Sequence, residues 1–316
     1  MIEVKNLTKR YGQHCAVDNI SFTAEDGEIV GFLGPNGAGK TTTMNIVTGY
    51  ISATEGDVII NGADILAEPE KAKRDIGYLP DMPPVYGEMR VDEYLRFVAE
   101  IKKVKAGQRT QMIEDIKESV KIADISSRLI KNLSKGYRQR VGLAQAMMGY
   151  PKAIIMDEPT VGLDPKQIIE MRDLVKKLGK KHTIILSSHI LSEVSAVCDR
   201  VMIISKGKII ASDTPEKLSS GLTHGHQMAV RVKGEASKIL SAIEEFPLIK
   251  TAKEDGSHEP GAIDLIMTGE EDVDIREAIF ACMAKNNYPI LSMKSLDLSL
   301  EEIFLQITSG EGSRES

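Results

Sequence analysis

The segment Ile29-Val-Gly-Phe-Leu33 leads directly into Gly34-Pro-Asn-Gly-Ala-Gly39-Lys40-Thr41. An apolar run of this length is typical of a strand buried on both faces of a parallel sheet. The loop after it matches the pattern G-x-x-x-x-G-K-[ST], and residues 41–48 are predicted to form a helix. Glycines let the backbone fold around an anion, and a helix N-terminus attracts anions through its free N–H groups and its dipole. A strand, a glycine-rich loop and a helix in this order indicate an α/β fold with a phosphate-binding site.

The other strands of the core sheet are predicted from similar short apolar runs. They cover residues 153–156, 183–186 and 201–204. Residues 166–179 and 191–198 separate these runs, and their apolar side chains recur with helical spacing. Strands that alternate with helices in this way favour a parallel sheet.

Two other parts of the first 220 residues show different patterns. Three segments alternate apolar and polar residues, which predicts an antiparallel sheet beside the core; they are residues 2–7, 18–24 and 57–61. Three longer segments have helical periodicity; they are residues 91–103, 108–122 and 135–149. The longer segments predict a helical insertion at about residues 91–150.

The chain is predicted to divide near residues 219–225, a stretch of small and polar residues. Beyond it the signals follow the order βαββαβ and then α, which favours a split-βαβ domain. These segments are residues 227–232, 235–246, 248–253, 262–268, 272–286, 289–294 and 299–307. We therefore predict a main domain (1–220), an accessory α+β domain (221–308) and a disordered tail (309–316). For the accessory domain, dimerisation or regulation is favoured over an inert appendage.

The composition excludes several classes of protein. With 42% hydrophobic residues and a net charge of −6, the 316-residue chain can form a core and lacks the basic character of a dedicated nucleic-acid binder. Its three cysteines, Cys15, Cys198 and Cys282, have no disulfide or metal-ligand spacing, which favours reduced thiols in a cytosolic protein. No secretory signal is recognised, and no apolar run approaches the roughly 18 residues of a membrane span.

The strand at residues 153–156 ends in two carboxylates, Asp157 and Glu158. Since ligands bind at the carboxyl ends of parallel strands, these acids are expected beside the glycine-rich loop. There Lys40 would reach the β- and γ-phosphates of a nucleotide, and Thr41 and Asp157 would hold Mg²⁺. Glu158 would orient or deprotonate an attacking water. Two acids at a strand end would be unremarkable alone, but beside a phosphate loop they favour catalysis.

Two further segments carry weaker signals. Ser134 is a good N-cap for the helix that follows, and Gly136 allows a close backbone approach. In isolation this segment is only a capped helix, but its position ahead of Asp157 favours a functional role. His189 follows the strand at residues 183–186, where a γ-phosphate is within reach, although a lone histidine is usually structural.

Together these motifs resemble the ATP-binding-cassette (ABC) ATPases over about residues 1–220. The phosphate loop resembles Walker A, and the strand that ends at Glu158 resembles Walker B. Residues 133–137, read as LSKGY, resemble the signature motif, and residues 162–165 resemble the D-loop. His189 resembles the switch histidine of the family. The resemblance implies the fold of a P-loop NTPase cassette, with ATP and Mg²⁺ as its ligands.

The resemblance also implies which residues contact the nucleotide. Tyr11 lies where the family stacks an aromatic ring on adenine, with Val17 beside it. The full implied set is Tyr11, Val17, Gly34, Pro35, Asn36, Gly37, Ala38, Gly39, Lys40, Thr41, Thr42, Asp81, Ser134, Lys135, Gly136 and Asp164. Lys40, Glu158 and His189 are the implied catalytic residues, and Thr41, Asp157 and Asp81 the implied metal ligands.

In this family two cassettes enclose two ATP molecules, which implies a homodimer or heterodimer in which Ser134 and Gly136 contact the γ-phosphate across the interface. Two positions depart from the family pattern. Asp81, which follows Ile76-Gly-Tyr-Leu-Pro80, stands where the family usually has glutamine, and it either approaches Mg²⁺ or caps the following loop. In the signature, Lys135 replaces glycine and Tyr137 replaces glutamine, and the lysine either faces ATP or is solvated.

Within the family, residues 134–140, 161–165 and 300–304 resemble ATPases of ABC-2-type exporters, among them the gliding-motility-associated branch. This resemblance implies a separate membrane permease, with docking at residues 80–89. It also implies a cytoplasmic subunit that is peripheral on the inner face of the cell membrane and binds no nucleic acid. The alternatives are a non-transport ABC ATPase in translation or DNA repair, which usually needs paired cassettes or a coiled coil, and a catalytically dead partner.

Overall fold

The computed structural model describes residues 1–220, 227–244, 246–257, 259–269 and 274–295. The described chain divides into two compact units, and the division falls between Pro215 and Glu216. The helix predicted at residues 299–307, the tail at 309–316 and residues 221–225 of the predicted division lie outside the described residues.

The first unit contains ten strands and seven α-helices within its described residues. In chain order these are β1 (Ile2–Tyr11), β2 (His14–Ala24), β3 (Ile29–Leu33), α1 (Lys40–Val47), β4 (Glu55–Ile60), β5 (Ala63–Asp64), α2 (Pro69–Arg74), β6 (Ile76–Leu79), α3 (Val91–Ile101), α4 (Ala106–Ser119), α5 (Lys135–Met147), β7 (Ala153–Asp157), α6 (Pro165–Gly179), β8 (Thr183–Ser188), α7 (Leu191–Ser195), β9 (Arg200–Ser205) and β10 (Lys208–Asp213).

The core sheet has the order β10-β9-β3-β8-β7-β6. All its pairs are parallel except β10 with β9. The strands β3, β7 and β8 are buried along their whole length, which confirms the interpretation of the apolar runs. Because these three strands run in the same direction, the segments that follow them emerge at one edge of the sheet.

A second sheet, of order β2-β1-β4-β5, is antiparallel, as the alternating pattern predicted. Its inner face shares one apolar core with the parallel sheet, where Phe22 and Phe32 meet edge to face with ring centroids 5.0 Å apart. Met44 of α1 lies in the same core. This packing fixes α1, and the loop before it, against both sheets.

The three helices predicted for the insertion are confirmed as α3, α4 and α5, each with a slightly earlier end than expected. The amphipathic helix α3 buries Val91, Tyr94, Leu95 and Val98. The helix α5 packs against β6, where a Cβ atom on Gly77 would lie 2.1 Å from the Ala146 carbonyl oxygen. The insertion therefore joins the core sheet through a contact with no room for a methyl group.

Gly77→Ala is expected to lower the free energy of unfolding by about 1–3 kcal/mol, because the added methyl group must displace the α5 backbone. Gly107→Ala is the control: its Cβ would meet nothing within 4 Å, and alanine suits the helix α4. Urea denaturation would measure both variants. Equal stability of Gly77→Ala and the unchanged protein would contradict this packing.

The second unit is a small α+β domain. Its elements are α8 (Pro215–Ser220), which begins at the division, β11 (Gln227–Lys233), α9 (Ala236–Glu244), β12 (Ile249–Glu254), β13 (Ala262–Gly269), α10 (Arg276–Lys285) and β14 (Ile290–Ser295). The sheet order β12-β13-β11-β14 is antiparallel throughout, and Val230, Ile239, Leu265 and Ile279 lie in its core. The predicted order βαββαβ is confirmed.

Candidate functional site

The glycine-rich loop connects β3 to α1 and lies tightly against neighbouring strands. A Cβ atom on Gly34 would lie 2.4 Å from the Ile204 carbonyl oxygen. On Gly39, whose φ is 107°, it would lie 2.5 Å from the Ala16 carbonyl oxygen. Both positions therefore require glycine, and the loop conformation is held by backbone atoms of β9 and β2.

Lys40 is the first residue of α1, and its side chain is only 6% exposed. Its Nζ donates hydrogen bonds to the carbonyl oxygens of Gly34 at 2.8 Å and Pro35 at 3.2 Å. The same Nζ lies 3.3 Å from Oε1 of Glu158. The loop carbonyls therefore direct the ammonium group towards the end of β7.

The last residue of β7 is the buried Asp157, which lies opposite Ser187 in the parallel register. The Ser187 hydroxyl donates to Oδ1 of Asp157, and the Thr41 hydroxyl is a second hydrogen-bond partner of this carboxylate. Burial raises the pKa of Asp157, and the two hydrogen bonds oppose this shift. The carboxylate and the Thr41 hydroxyl thus place oxygen atoms side by side at the start of α1.

Glu158 directly follows the strand in a left-handed conformation, with a φ of 47°. Its N–H donates to Oγ of Ser187 at 3.0 Å, and its Oε2 lies 2.9 Å from Nδ1 of His189. With the Lys40 contact, this carboxylate joins an ammonium group on one side and an imidazole on the other. The structure therefore brings the three predicted catalytic side chains into direct contact.

These groups line a cleft of about 540 Å³, a size within the range of small-molecule sites. The lining residues are Tyr11, His14, Ala16, Asn36, Gly37, Gly39, Lys40, Thr41, Thr42, Asp81, Asp157, Glu158, Val161 and His189. Val17 does not line the cleft: it is fully buried, and its Cγ2 would lie 3.5 Å from a Cβ on Gly39. The structure thus places Val17 beneath the loop, and Tyr11 at the mouth with half of its surface exposed.

The signature residues lie elsewhere on the chain. Ser134 caps α5 by accepting a hydrogen bond from the Tyr137 N–H at 3.3 Å, and Gly136 packs so closely on Gln167 that a Cβ would lie 2.7 Å from its side chain. The Nζ of Lys135 would be 2.5 Å from a Cβ on Gly162, so this lysine covers its own chain's D-loop.

Asp164 caps α6 by accepting from the Gln167 N–H at 2.9 Å. It lines a cavity of about 430 Å³ with Gly136 and Tyr137, separate from the cleft lined by Lys40 and Glu158. Within one chain, Ser134, Lys135, Gly136 and Asp164 are therefore not among the residues that line the cleft.

The cleft suits a magnesium ion that is shared with a phosphate. Mg²⁺ prefers oxygen ligands and is usually held by one or two carboxylates together with substrate phosphates and water. Thr41 and Asp157 supply such oxygens, and Asp81 lines the same cleft. Across the described ranges no three His, Cys, Asp or Glu side chains group into a closed metal cage.

Four residues of the site were not expected from the sequence: Ser187, and also His14, Ala16 and Val161, which line the cleft. Ser187 organises both carboxylates, and its position opposite Asp157 follows from the parallel pairing of β7 with β8. The register of β7 against β8, had it been known, would have identified Ser187 as the partner of Asp157. His14 pairs with Tyr11 in the β1–β2 hairpin and lines the cleft, but no motif marks it.

Comparisons with known proteins give the same assignment. The family model "ABC transporter" matches residues 17–161. The chain is 35% identical to the uncharacterized ABC transporter ATP-binding protein YhcH of Bacillus subtilis, over 100% of this chain and 98% of that protein. It is 31% identical to the linearmycin resistance ATP-binding protein LnrL of Bacillus subtilis, over 98% of both chains.

Among solved structures, a bacterial ABC transporter cassette determined as a dimer superposes with a TM-score of 0.62. It is 26% identical and covers 68% of this chain and 98% of its own. In the described part of our structure, no helix is both long and apolar enough to cross a bilayer. Because the match to YhcH runs from end to end of both proteins, the chain belongs to the ATP-binding subunits of ABC transporters, whose reaction is ATP hydrolysis.

Proposed function

We propose that this subunit binds and hydrolyses Mg-ATP to drive export through a separate membrane permease. The observation that carries the proposal is the contact series in which Glu158 joins Lys40 on one side and His189 on the other, at the edge of a phosphate loop. A carboxylate in this position can accept a proton from water while the cation beside it holds a phosphate oxygen.

Each side chain then has a defined task. Lys40 and the N–H groups at the start of α1 bind the β- and γ-phosphates. Thr41 and Asp157 hold Mg²⁺, which neutralises charge on the phosphate oxygens when it is bound. Glu158 orients and deprotonates the attacking water, and His189 fixes the orientation of the Glu158 carboxylate.

The signature residues act in this proposal on the nucleotide of a second subunit, which is either another copy of this chain or a related cassette. Support comes from their position outside the cleft of their own chain and from the similar cassette that was solved as a dimer. Ser134 caps the N-terminus of α5, so a second helix N-terminus would face the phosphates already held by α1.

Export is proposed from the relative LnrL, which is named for resistance to linearmycin. The subunit would then work at the inner face of the cell membrane. A cavity of about 890 Å³ is lined by residues of the core and of the predicted docking segment 80–89, among them Tyr50 and Met82. These two side chains are 78% and 76% exposed, which suits an apolar segment of a permease.

Purification in detergent from the native membrane tests this proposal. We expect a polytopic membrane protein to co-purify with the unchanged subunit and to be lost with Met82→Asp, while the ATPase activity of the isolated variant persists. Ile169→Asp is the control, since Ile169 is a similarly exposed apolar residue on α6. Recovery of ribosomal or DNA-repair proteins in place of a membrane protein would support the non-transport alternative.

Asp81 adds a negative charge to the cleft at a position where the family usually has a neutral glutamine. At about 5 Å from a γ-phosphate and an effective dielectric constant of about 20, its carboxylate would repel the phosphate by about 3 kcal/mol. In a dimer, Lys135 of the opposite subunit is the candidate cation that would offset this repulsion; within its own chain its Nζ lies beside Gly162. The isolated subunit should therefore be a slow ATPase.

Asp81→Gln is expected to bind ATP at least as tightly as the unchanged protein and to depend less on Mg²⁺, because the repelling charge is removed. Asp57→Asn, which removes an exposed charge on β4, is the control. Nucleotide titrations at several Mg²⁺ concentrations would measure both. Superimposable curves for Asp81→Gln and the unchanged protein would show that Asp81 only faces solvent beside Pro83.

A further inference from the structure

A buried carboxylate lies next to the cleft without lining it. Glu193, on α7, is only 6% exposed. Within the described chain it forms no ion pair with a Lys, Arg or His side chain. A buried charge is costly unless hydrogen bonds satisfy it, so the partners of Glu193 indicate what it holds in place.

Its partners are hydroxyl groups from two different segments. Oε2 of Glu193 accepts a short hydrogen bond from the Thr160 hydroxyl and another at 3.4 Å from the Ser188 hydroxyl. Oγ of Ser188 in turn accepts from the Ile190 N–H at 3.0 Å. Thr160 and Ser188 are themselves buried, so water does not compete for these bonds.

The first segment, residues 158–163, follows β7 and leads to the D-loop; we call it the post-strand segment. It is folded by its own backbone hydrogen bonds, from the Val161 N–H to the Glu158 carbonyl at 3.2 Å and from the Leu163 N–H to the Thr160 carbonyl at 3.1 Å. The second segment, residues 188–190, is the histidine turn, which presents His189 to Glu158. Glu193 thus connects the post-strand segment, which carries Glu158, to the histidine turn, which carries His189.

A separate attachment joins the beginning of the post-strand segment to β8, at Ser187, the residue just before the histidine turn. Ser187 accepts from the Glu158 N–H, and this bond fixes only the first residue after β7. His189 is 40% exposed, so its contact with Glu158 does not by itself hold the turn. The hydrogen bond from Thr160 to Glu193 is a second point of attachment. With two points fixed, the post-strand segment cannot rotate about the Glu158–Ser187 bond alone.

We propose that Glu193 is a positioning residue that locks the histidine turn against the post-strand segment, so that His189 and Glu158 keep the relative geometry needed for hydrolysis. This inference rests on the roles proposed above for those two side chains. Glu193 itself bonds to Thr160 and Ser188, not to His189 or Glu158, and it does not line the cleft. Its effect should therefore fall on the rate of the chemical step and not on nucleotide binding.

Steady-state ATPase kinetics separate these effects. Glu193→Ala should lower kcat about tenfold or more, because small displacements of catalytic groups are costly, while KM for ATP stays within about threefold. Glu193→Gln is the conservative control, since its amide oxygen can still accept both hydroxyl bonds, and it should retain most of kcat. Thr160→Val, which removes one donor at nearly constant volume, should lower kcat in the same way as Glu193→Ala.

Hydrogen exchange provides a readout that does not depend on catalysis. In full-length Glu193→Ala, amide exchange should rise together in residues 161–163 and 189–190 and stay unchanged in β3 and β7. A general rise over the whole first unit would show a folding role and overturn the inference. So would a proportional change of kcat and KM, or a Glu193→Gln variant as slow as Glu193→Ala.

Glu158→Gln, measured in the same assay, distinguishes a failure of the proposed catalytic roles from a failure of the positioning role of Glu193. If Glu158→Gln hydrolyses ATP normally, the proposed catalytic roles fail, whatever Glu193 does. If Glu158→Gln is inactive and Glu193→Ala is fully active, only the positioning role of Glu193 is overturned.

Discussion

Glu158→Gln is expected to retain ATP binding and to slow hydrolysis by at least about a hundredfold, the usual contribution of a general base. The amide has nearly the same shape as the carboxylate but cannot accept a proton from water. It also removes a negative charge that lies 3.3 Å from Nζ of Lys40, so the lysine is left free for the γ-phosphate. An ATP-bound dimer should therefore accumulate.

Size-exclusion chromatography with Mg-ATP and a phosphate-release assay would measure both effects. Glu55→Gln makes the same chemical change at an exposed position of β4 and should behave as the unchanged protein. A Glu158→Gln variant that stays monomeric at high concentration and still hydrolyses ATP would contradict both proposed roles of this residue.

Complementation between two inactive variants is the second large effect that we expect. Lys40→Ala removes phosphate binding, and Ser134→Arg blocks the start of α5 and its cap. Each variant alone should be inactive. In a heterodimer of the two, one composite site combines the intact loop of one subunit with the intact signature of the other, so ATPase activity should return in part.

A differently arranged heterodimer is the matched control. When the unchanged subunit is paired with a subunit that carries both Lys40→Ala and Ser134→Arg, each composite site contains one broken part, and no activity should remain. Two affinity tags would isolate each heterodimer. Activity in this control, with none in the complementing pair, would show that each subunit uses its own signature.

The sequence allowed the conformation of the glycine-rich loop and of the strand end beside it to be predicted almost completely. The strand Ile29–Leu33 has the predicted bounds, and Lys40 begins the helix within one residue of the expected start. These features are local: an unbroken apolar run and a glycine-rich loop specify their own conformation through burial and backbone freedom. Asp157 and Glu158 were found for the same reason, since they end such a run.

The remaining features depend on contacts between distant parts of the chain. The edge strand β10 was not predicted, because half of its residues are exposed and its pattern shows little alternation of apolar and polar side chains. The short helix α2 has almost no buried face. Ser187 and Glu193 matter through partners about thirty residues away in sequence, and a single sequence does not reveal such pairs.

At Glu158, the residue that favours folding differs from the residue that the proposed activity needs, because the backbone there is left-handed. Such a conformation costs a non-glycine residue about 1 kcal/mol, and glycine would adopt it without strain. Glycine, however, has no carboxylate to meet Lys40 and His189. A redesign of this subunit guided only by folding energy would therefore favour glycine at position 158, and under the role proposed for Glu158 the resulting protein would fold well but no longer hydrolyse ATP.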